Sequence, residues 1–132
     1  MITADPTTGA LLSQTPTFVA VGEGGAVLTG TYNNVSGVST LTWTSQTIAP
    51  YNNLTAVTFG TRSGGNSLTQ YNVASYGQFV AVDNAGNAYT STDGLTWSAS
   101  IPTNATGPLN AIGAGVNDYT AVGAGGHNAH SL

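Results

Sequence analysis

One short phrase occurs three times in this chain of 132 residues, as Phe18-Val-Ala-Val-Gly22, Phe79-Val-Ala-Val-Asp83 and Tyr119-Thr-Ala-Val-Gly123. Each copy is rich in β-branched and aromatic residues, and each stops at a glycine or aspartate of the kind found in turns. The phrase therefore predicts a β-strand followed by a turn, three times over. We expect an all-β protein built from repeated units.

The spacing of the copies predicts units of about 40 residues. Phe79 and Tyr119 are 40 positions apart, whereas Phe18 and Phe79 are 61 positions apart. Two insertions account for the longer gap, one at 32–37 and a larger one at 62–77. Because a unit of this size cannot bury its apolar face alone, we expect the units to pack against one another.

Each unit is predicted to hold four short strands, of which the repeated phrase is the second. Alternating apolar residues bounded by Gly, Asn and Asp mark the other strands. The first strands are 54–59 and 109–112, the third are 26–29 and 87–91, and the fourth are 41–44 and 95–98. Residues 9–12 stand where the first strand of the first unit is expected, and the third unit has no fourth strand.

Composition restricts the partners that the chain can bind. There is no lysine, one arginine (Arg62) and five acidic residues, and the formal net charge is −4. Phosphate binding needs several basic side chains, so we expect neither nucleic acid nor an anionic membrane surface as a partner. Solubility must then depend on Thr, Ser and Asn, which are common on the surfaces of secreted and virion β-proteins.

The chain also lacks several features of other protein classes. It has no cysteine, which excludes disulfides and thiolate chemistry. The first residues show no secretory signal, and no apolar run reaches the length of a membrane span, so no membrane insertion is expected. An extracellular type of surface without a signal fits either a processed chain or release by lysis, the route of phage structural proteins.

The segment Ser91-Thr-Asp-Gly-Leu-Thr-Trp97 resembles the Asp-box hairpin of sialidase-like (BNR) β-propeller repeats. The pattern there is Ser-x-Asp-x-Gly-x-x-Trp, and this copy has one residue fewer between Asp93 and Gly94. The resemblance concerns the fold; it covers 79–97 closely and the rest of the repeats loosely. It implies a structural turn formed by Ser91, Asp93, Gly94 and Trp97, in which the carboxylate accepts backbone N–H groups and the indole packs between blades.

The resemblance does not extend to catalysis. Sialidases hold the substrate carboxylate with three arginines and use a tyrosine–glutamate pair, whereas this chain has one arginine and one glutamate, Glu23. A glycosidase needs two carboxylates around the sugar bond. Glu23 and Asp83 follow equivalent strands, shifted by one position, and could lie on one rim if the chain were a propeller. His127 and His130 are three residues apart, and on a strand this odd spacing places the two side chains on opposite faces, where they cannot bind one metal ion together. We therefore predict no enzyme, no cofactor and no metal.

The two insertions supply the candidate binding residues. Aromatic rings stack on apolar sugar faces and amides pair with hydroxyl groups, so such side chains suit sugar or protein recognition. The candidates are Tyr32 and Asn34 in the first insertion, and Arg62, Asn66, Tyr71, Asn72 and Tyr76 in the second. Merely solvated loops, or an extra strand around Tyr71, are the alternatives.

Three four-stranded units are too few for a closed propeller, which typically has about 4 to 8 blades. We therefore predict a single domain over 1–132, a partial β-propeller completed by oligomerisation, with 1–16 as a tail that a neighbour can exchange. A single-chain β-trefoil or a β-sandwich is the alternative.

The function predicted from these features is that of a non-enzymatic, surface-displayed structural or binding protein. It would be an oligomeric decoration or receptor-contacting component of a phage virion or a similar extracellular assembly. Its expected partners are further copies of itself, other structural proteins and possible surface glycans. A soluble carbohydrate-binding lectin is the alternative.

Overall fold

The computed structural model describes residues 3–4, 11–12, 17–62, 76–115 and 118–131, and in these it contains β-strands but no α-helix. The strands are β1 (Thr3–Ala4), β2 (Leu11–Leu12), β3 (Thr17–Val21), β4 (Ala26–Val35), β5 (Val38–Thr47), β6 (Leu54–Arg62), β7 (Tyr76–Asp83), β8 (Asn87–Ser91), β9 (Ile101–Pro102), β10 (Ala111–Ala114), β11 (Tyr119–Val122) and β12 (Asn128–Ser131). Short 3₁₀ turns at Glu23–Gly25 and Ala124–Gly126 follow β3 and β11. The prediction of an all-β chain is confirmed.

The strands form three open antiparallel sheets and one short pair. The first sheet is β3-β4-β5, the second is β6-β7-β8-β9, and the third is β10-β11-β12. The three copies of the repeated phrase lie in β3, β7 and β11, and each copy pairs with the next strand along the chain. Within the described ranges none of the three sheets closes into a barrel of the kind that a trefoil needs.

The second sheet lies between the other two and is covered on both faces. One buried cluster joins it to the first sheet and contains Val27, Leu54, Ala81 and Tyr89. The other joins it to the third sheet and contains Val82, Leu109 and Ala121. Because side chains alternate along a strand, the neighbours Ala81 and Val82 point to opposite sheets. Residues 79–82 are therefore buried at every position.

Equivalent backbone hydrogen bonds connect each sheet to the next. The Gly22 carbonyl accepts the Leu54 N–H at 2.9 Å, and the Asp83 carbonyl accepts the Leu109 N–H at 3.1 Å. In both cases the residue that ends the repeated phrase binds a leucine at the start of the next sheet. The two steps from sheet to sheet are therefore fixed in the same way.

Most of the predicted strands lie where the sequence places them. The segments 26–29, 41–44, 54–59 and 87–91 fall within β4, β5, β6 and β8. The segment 109–112 was expected to begin a strand at Leu109, but β10 begins at Ala111. Leu109 is instead fully buried between the second and third sheets, where it anchors the chain before the strand starts.

The predicted fourth strand at 95–98 is wrong. Residues 92–96 are a series of bends, and the edge strand β9 lies later, at Ile101–Pro102. The physical reason is that the Asp93 carboxylate binds the N–H groups of Leu95 and Thr96, which bends the backbone away from the ladder. Only Ser98 keeps a ladder bond, from its N–H to the Thr90 carbonyl at 2.9 Å.

The N-terminal segment differs from the prediction as well. Residues 9–12 were expected to pair with β3 as the first strand of the first unit, but β2 pairs with β1. The rest of the tail over 1–16 lies outside the described residues, and its exchange with a neighbour stays a prediction.

The first insertion is a β-hairpin and not a loop. Strands β4 and β5 run on to Val35 and from Val38, joined by Ser36 and Gly37 with φ of 53° and 80°. Two consecutive positive φ values are typical of the tight turns whose twist matches that of a hairpin. The second insertion joins β6 to β7, with Arg62 opposite Tyr76, and its residues 63–75 lie outside the described ranges.

Candidate functional site

Asp93 holds the turn that follows β8. Its Oδ1 atom accepts the N–H groups of Leu95 and Thr96, each at 2.8 Å, and the Ser91 hydroxyl at 3.1 Å. The Ser91 hydroxyl oxygen in turn accepts the Gly94 N–H at 2.8 Å. The hydrogen bond from Thr96, the largest influence, lowers the pKa of Asp93 together with those from Leu95 and Ser91, against a smaller opposing effect of burial. The hydrogen bonds of this carboxylate therefore come from its own turn.

The same turn contacts the first sheet. The Gly94 carbonyl accepts the Trp97 indole N–H at 3.1 Å and the buried Thr29 hydroxyl at 2.6 Å. Gly94 has a φ of +79°, and a Cβ atom there would lie 2.9 Å from Cγ2 of Val19. Trp97 packs against the buried cluster between the first and second sheets. The turn at Ser91, Gly94 and Trp97 thus joins two sheets.

Asp83 is a second occupied carboxylate, and it was not expected in this role. It is 0% exposed and accepts five hydrogen bonds. They come from the N–H groups of Ala85 and Asn87 at 2.8 Å, from the side-chain amides of Asn52 at 2.9 Å and Asn87 at 3.0 Å, and from the Tyr89 hydroxyl at 2.7 Å. Asp83 is buried whereas Glu23 is exposed, so the two carboxylates do not face solvent together. An acid in place of the glycine that ends the other two phrases was the signal in the sequence.

The hydrogen bonds around Asp83 decide its charge. Burial, the largest influence, acts to raise the pKa of Asp83, but the donors from Asn52, Asn87 and Tyr89 together outweigh it and lower the pKa. Burial raises the pKa of Tyr89, and the hydrogen bond and negative charge of Asp83 raise it further. A carboxylate held charged and surrounded by donors is suited to bracing loops, and it has no free lone pair directed at a substrate.

The β4–β5 hairpin brings two of the predicted binding residues together. Tyr32 and Asn34 lie on the same face of β4, and both contact Ser39 across the hairpin. The Tyr32 hydroxyl donates to the Ser39 Oγ at 2.5 Å, and the Asn34 side-chain amide donates to it at 3.4 Å. Asn34 is exposed and Tyr32 is half-buried.

The other predicted binding residues belong to the second insertion. Arg62 and Tyr76 are opposite each other, at the last pair of the β6–β7 ladder. Asn66, Tyr71 and Asn72 lie in 63–75, outside the described residues, and their role stays a prediction.

An apolar sheet surface was missed by the sequence analysis. The outer side of the first sheet carries Phe18, Ala20, Leu28, Leu41 and Trp43, which we call the front face. Phe18 is 52% exposed and Trp43 is 50% exposed. Successive side chains of a strand point to opposite faces, so Val19 and Val21 of β3 face the second sheet while Phe18 and Ala20 face outward.

Trp43 lies across the middle of the front face. It is paired with Gly30, and a Cβ atom on Gly30 would lie 2.6 Å from the indole ring. A side chain at position 30 would collide with the ring, so a glycine is required there.

The outer side of the third sheet is more polar. It carries Thr120, Val122, Asn128 and His130, which we call the back face. Nδ1 of His130 is 3.0 Å from the Thr120 hydroxyl, and its Nε2 is 3.8 Å from the Asp118 carboxylate. His127, the other candidate ligand, is 3.2 Å from the Thr106 hydroxyl. Among the described residues no three His, Cys, Asp or Glu side chains cluster as a metal site would require.

No protein-family model, curated protein or solved structure matches this chain. In the part of the chain that the structure describes, no helix has the length and apolar character needed to cross a membrane. The exposed surfaces described above carry apolar rings, amides and hydroxyl groups.

Proposed function

We propose that this chain is a non-enzymatic, surface-displayed structural or binding protein, an oligomeric decoration or receptor-contacting component of a phage virion or similar extracellular assembly. The observation that carries the proposal is the front face. Aromatic and aliphatic side chains lie together there on one side of a sheet, in a chain with only 5% charged residues. Contiguous apolar surface of this kind usually marks a place where another protein binds.

A partial β-propeller completed by oligomerisation is the architecture that we propose for this assembly. Three sheets that pack face to face in chain order support it, as does the turn at Asp93 between two of them. Exposed sheet faces at either end of such a stack favour further sheets as neighbours.

The absence of enzymatic activity is part of the proposal. It is supported by Asp83, both of whose carboxylate oxygens accept hydrogen bonds, and by Asp93, whose Oδ1 atom accepts the backbone N–H groups of its own turn. General acid–base catalysis needs a carboxyl group within reach of substrate, and these two groups serve turns.

Surface display is supported by composition. The chain relies on uncharged Thr, Ser and Asn for solubility and has a single cation, Arg62. Such a surface forms few of the ionic contacts that bind nucleic acid or acidic lipid.

Fractionation of the source material tests the proposal. Lysate and spent medium are separated on a density gradient, and the chain is quantified in each fraction by mass spectrometry. We expect the chain to sediment with intact particles. An antibody against the chain should bind those particles without disrupting them. A chain found only in the soluble protein of intact cells contradicts the proposal.

A soluble carbohydrate-binding lectin is the second candidate, and the β4–β5 hairpin favours it. Tyr32, Asn34 and Ser39 place a ring, an amide and a hydroxyl side by side. A ring stacks on the apolar face of a sugar, and amides and hydroxyls hydrogen-bond to its hydroxyl groups. A glycan array with the wild-type chain and with Asn34→Ala tests it. We expect a bound glycan whose signal falls at least tenfold in the variant; an array without any bound glycan contradicts this candidate.

A further inference from the structure

Equivalent positions in the three sheets differ sharply in exposure. Ala20, Ala81 and Ala121 hold the same place in the repeated phrase. Ala81 is 0% exposed and Ala121 is 3% exposed, because each points at the sheet that precedes its own, whereas Ala20 is exposed on the front face. The front face of the first sheet is thus exposed, whereas the corresponding surfaces of the second and third sheets are buried.

The opposite side of the stack shows the complementary difference. Val21, Val82 and Val122 hold the next place in the phrase and point at the sheet that follows. Val21 packs against the first buried cluster and Val82 is 1% exposed, but Val122 is 50% exposed on the back face. The chain therefore makes the same kind of sheet-to-sheet contact twice. The two surfaces that form this contact are each left exposed once, as the front face at one end and the back face at the other.

We propose that the front face of one copy of this chain docks onto the back face of a second copy, head to tail. The inference rests on the self-assembly part of the proposed function and names its partner and orientation. The docked pair would place Ala20 of one copy against Val122 of the other, as Ala81 lies in the cluster with Val21 and Ala121 in the cluster with Val82.

An aromatic ring gives the contact a specific geometry. Tyr119 packs over Gly60 of the preceding sheet, where a Cβ atom would lie 2.8 Å from the ring, and its hydroxyl donates to the Gln78 carbonyl at 3.1 Å. Phe18 is the equivalent of Tyr119 in the first sheet. By strand register Gly115 is the equivalent of Gly60 in the third sheet. In the docked pair the Phe18 ring of one copy lies against the third sheet of the other near Gly115, where the Asp118 side chain must turn aside to admit it.

The same contact closes with two copies. Each copy has one front face and one back face, so two copies can satisfy both of their faces in a ring. Three sheets from each copy give six sheets, within the range of about 4 to 8 in closed propellers. A front-to-front contact would leave both back faces, with their exposed Val122, uncovered.

Engineered disulfides test the orientation, because the chain has no cysteine of its own. Ala20→Cys and Val122→Cys chains, carrying tags of different mass, are produced together and oxidised mildly. We expect a mixed disulfide dimer from the pair, and at least tenfold less dimer from either variant alone. The matched control replaces Val122→Cys with Asn84→Cys, in an exposed turn of the second sheet, and should give no more dimer than the single variants.

Two outcomes overturn the docking. A dimer of two Ala20→Cys chains at the level of the mixed pair shows a front-to-front contact, and a mixed pair no better than the Asn84→Cys control shows that a different occupant covers the front face. Density-gradient fractionation of the same samples separates this inference from the proposed function. Chains found with particles but without the mixed disulfide overturn the docking alone, whereas a mixed disulfide in chains absent from particles supports the docking and contradicts the virion role.

Discussion

At the scale of single residues, two aspartates organise the turns on which the sheets depend. Asp83 braces the β7–β8 turn and, through Asn52, the segment between the first and second sheets. Asp93 bends the chain after β8. The sequence predicts a turn at Asp93 because the pattern that indicates it is local to Ser91–Trp97. It did not identify the role of Asp83, because the Asn52 partner is distant in the chain and comes near only when the sheets pack.

Replacement of Asp83 by Asn tests this bracing role. Asp83→Asn places an amide N–H₂ group among the donors of Asn52, Asn87 and Tyr89, so buried donors lose their acceptor. We expect the free energy of unfolding to fall by about 2–3 kcal/mol, the usual cost of unsatisfied buried polar groups. Urea unfolding followed by tryptophan fluorescence measures it. Glu23→Gln, at an exposed acid, is the control and should change little; equal urea midpoints for the two variants would contradict the role.

The lowered pKa values of Asp83 and Asp93 predict a dependence of stability on pH. A carboxyl whose pKa is lower in the folded chain stabilises it above the unfolded pKa of about 3.9, and this stabilisation is lost as pH falls through the folded value. We therefore expect the urea midpoint to decline below about pH 4. The decline should be shallower in Asp83→Asn. If the urea midpoints of the wild type and the variant fall equally as pH is lowered from 5, the prediction is wrong.

At the scale of elements, the strands of the repeated phrase could be predicted and the edges could not. Strands β7 and β8 are apolar or alternating because their neighbours bury them, and the pattern records that burial. The segment 95–98 has the same residue types as 41–44, but Asp93 captures the N–H groups that a fourth strand would use. The insertion at 32–37 suggested a loop, whereas Ser36 and Gly37 form a two-residue turn that extends a hairpin.

Removal of the Asp93 carboxylate tests the turn as an element. Asp93→Ala leaves the N–H groups of Leu95 and Thr96 without their acceptor, and the indole of Trp97 loses its fixed position. We expect a loss of roughly 1–2 kcal/mol in the free energy of unfolding, the scale of one or two hydrogen bonds to a charged group. The tryptophan emission should shift to longer wavelength. Thr92→Ala, at the exposed neighbour, is the control, and a similar loss in both variants would argue against a specific role of Asp93.

At the scale of the whole molecule, the fold depends on a second sheet that is buried on both faces. The repeated phrase allowed the prediction that units pack on one another, since a single apolar sheet needs a cover. The order in which the sheets pack could not be predicted. The front face is exposed because the first sheet has a neighbouring sheet on one side and none on the other within the described residues. No local pattern distinguishes Ala20 from Ala81, because their surroundings in the sequence are nearly the same.

Enlarging Ala81 tests the packing of the first two sheets. Ala81→Leu adds three carbon atoms at a position that is fully buried between them, so the sheets must move apart. We expect a destabilisation of about 1–3 kcal/mol, as is usual for overpacked cores. Ala99→Leu, at an exposed position outside the sheets, is the control and should be near neutral. A tolerated leucine at Ala81 in thermal unfolding would show that the two sheets do not meet there.

Assembly through the exposed sheet faces predicts a molar mass in solution above that of one chain. Size-exclusion chromatography with light scattering is performed over a hundredfold range of concentration, on the wild-type chain and on Ala20→Arg, which puts a charge on the front face. For the wild type we expect twice the chain mass of 13.2 kDa at the upper concentrations, and for Ala20→Arg the mass of one chain throughout. A wild-type chain that remains at 13.2 kDa at every concentration would contradict the claim.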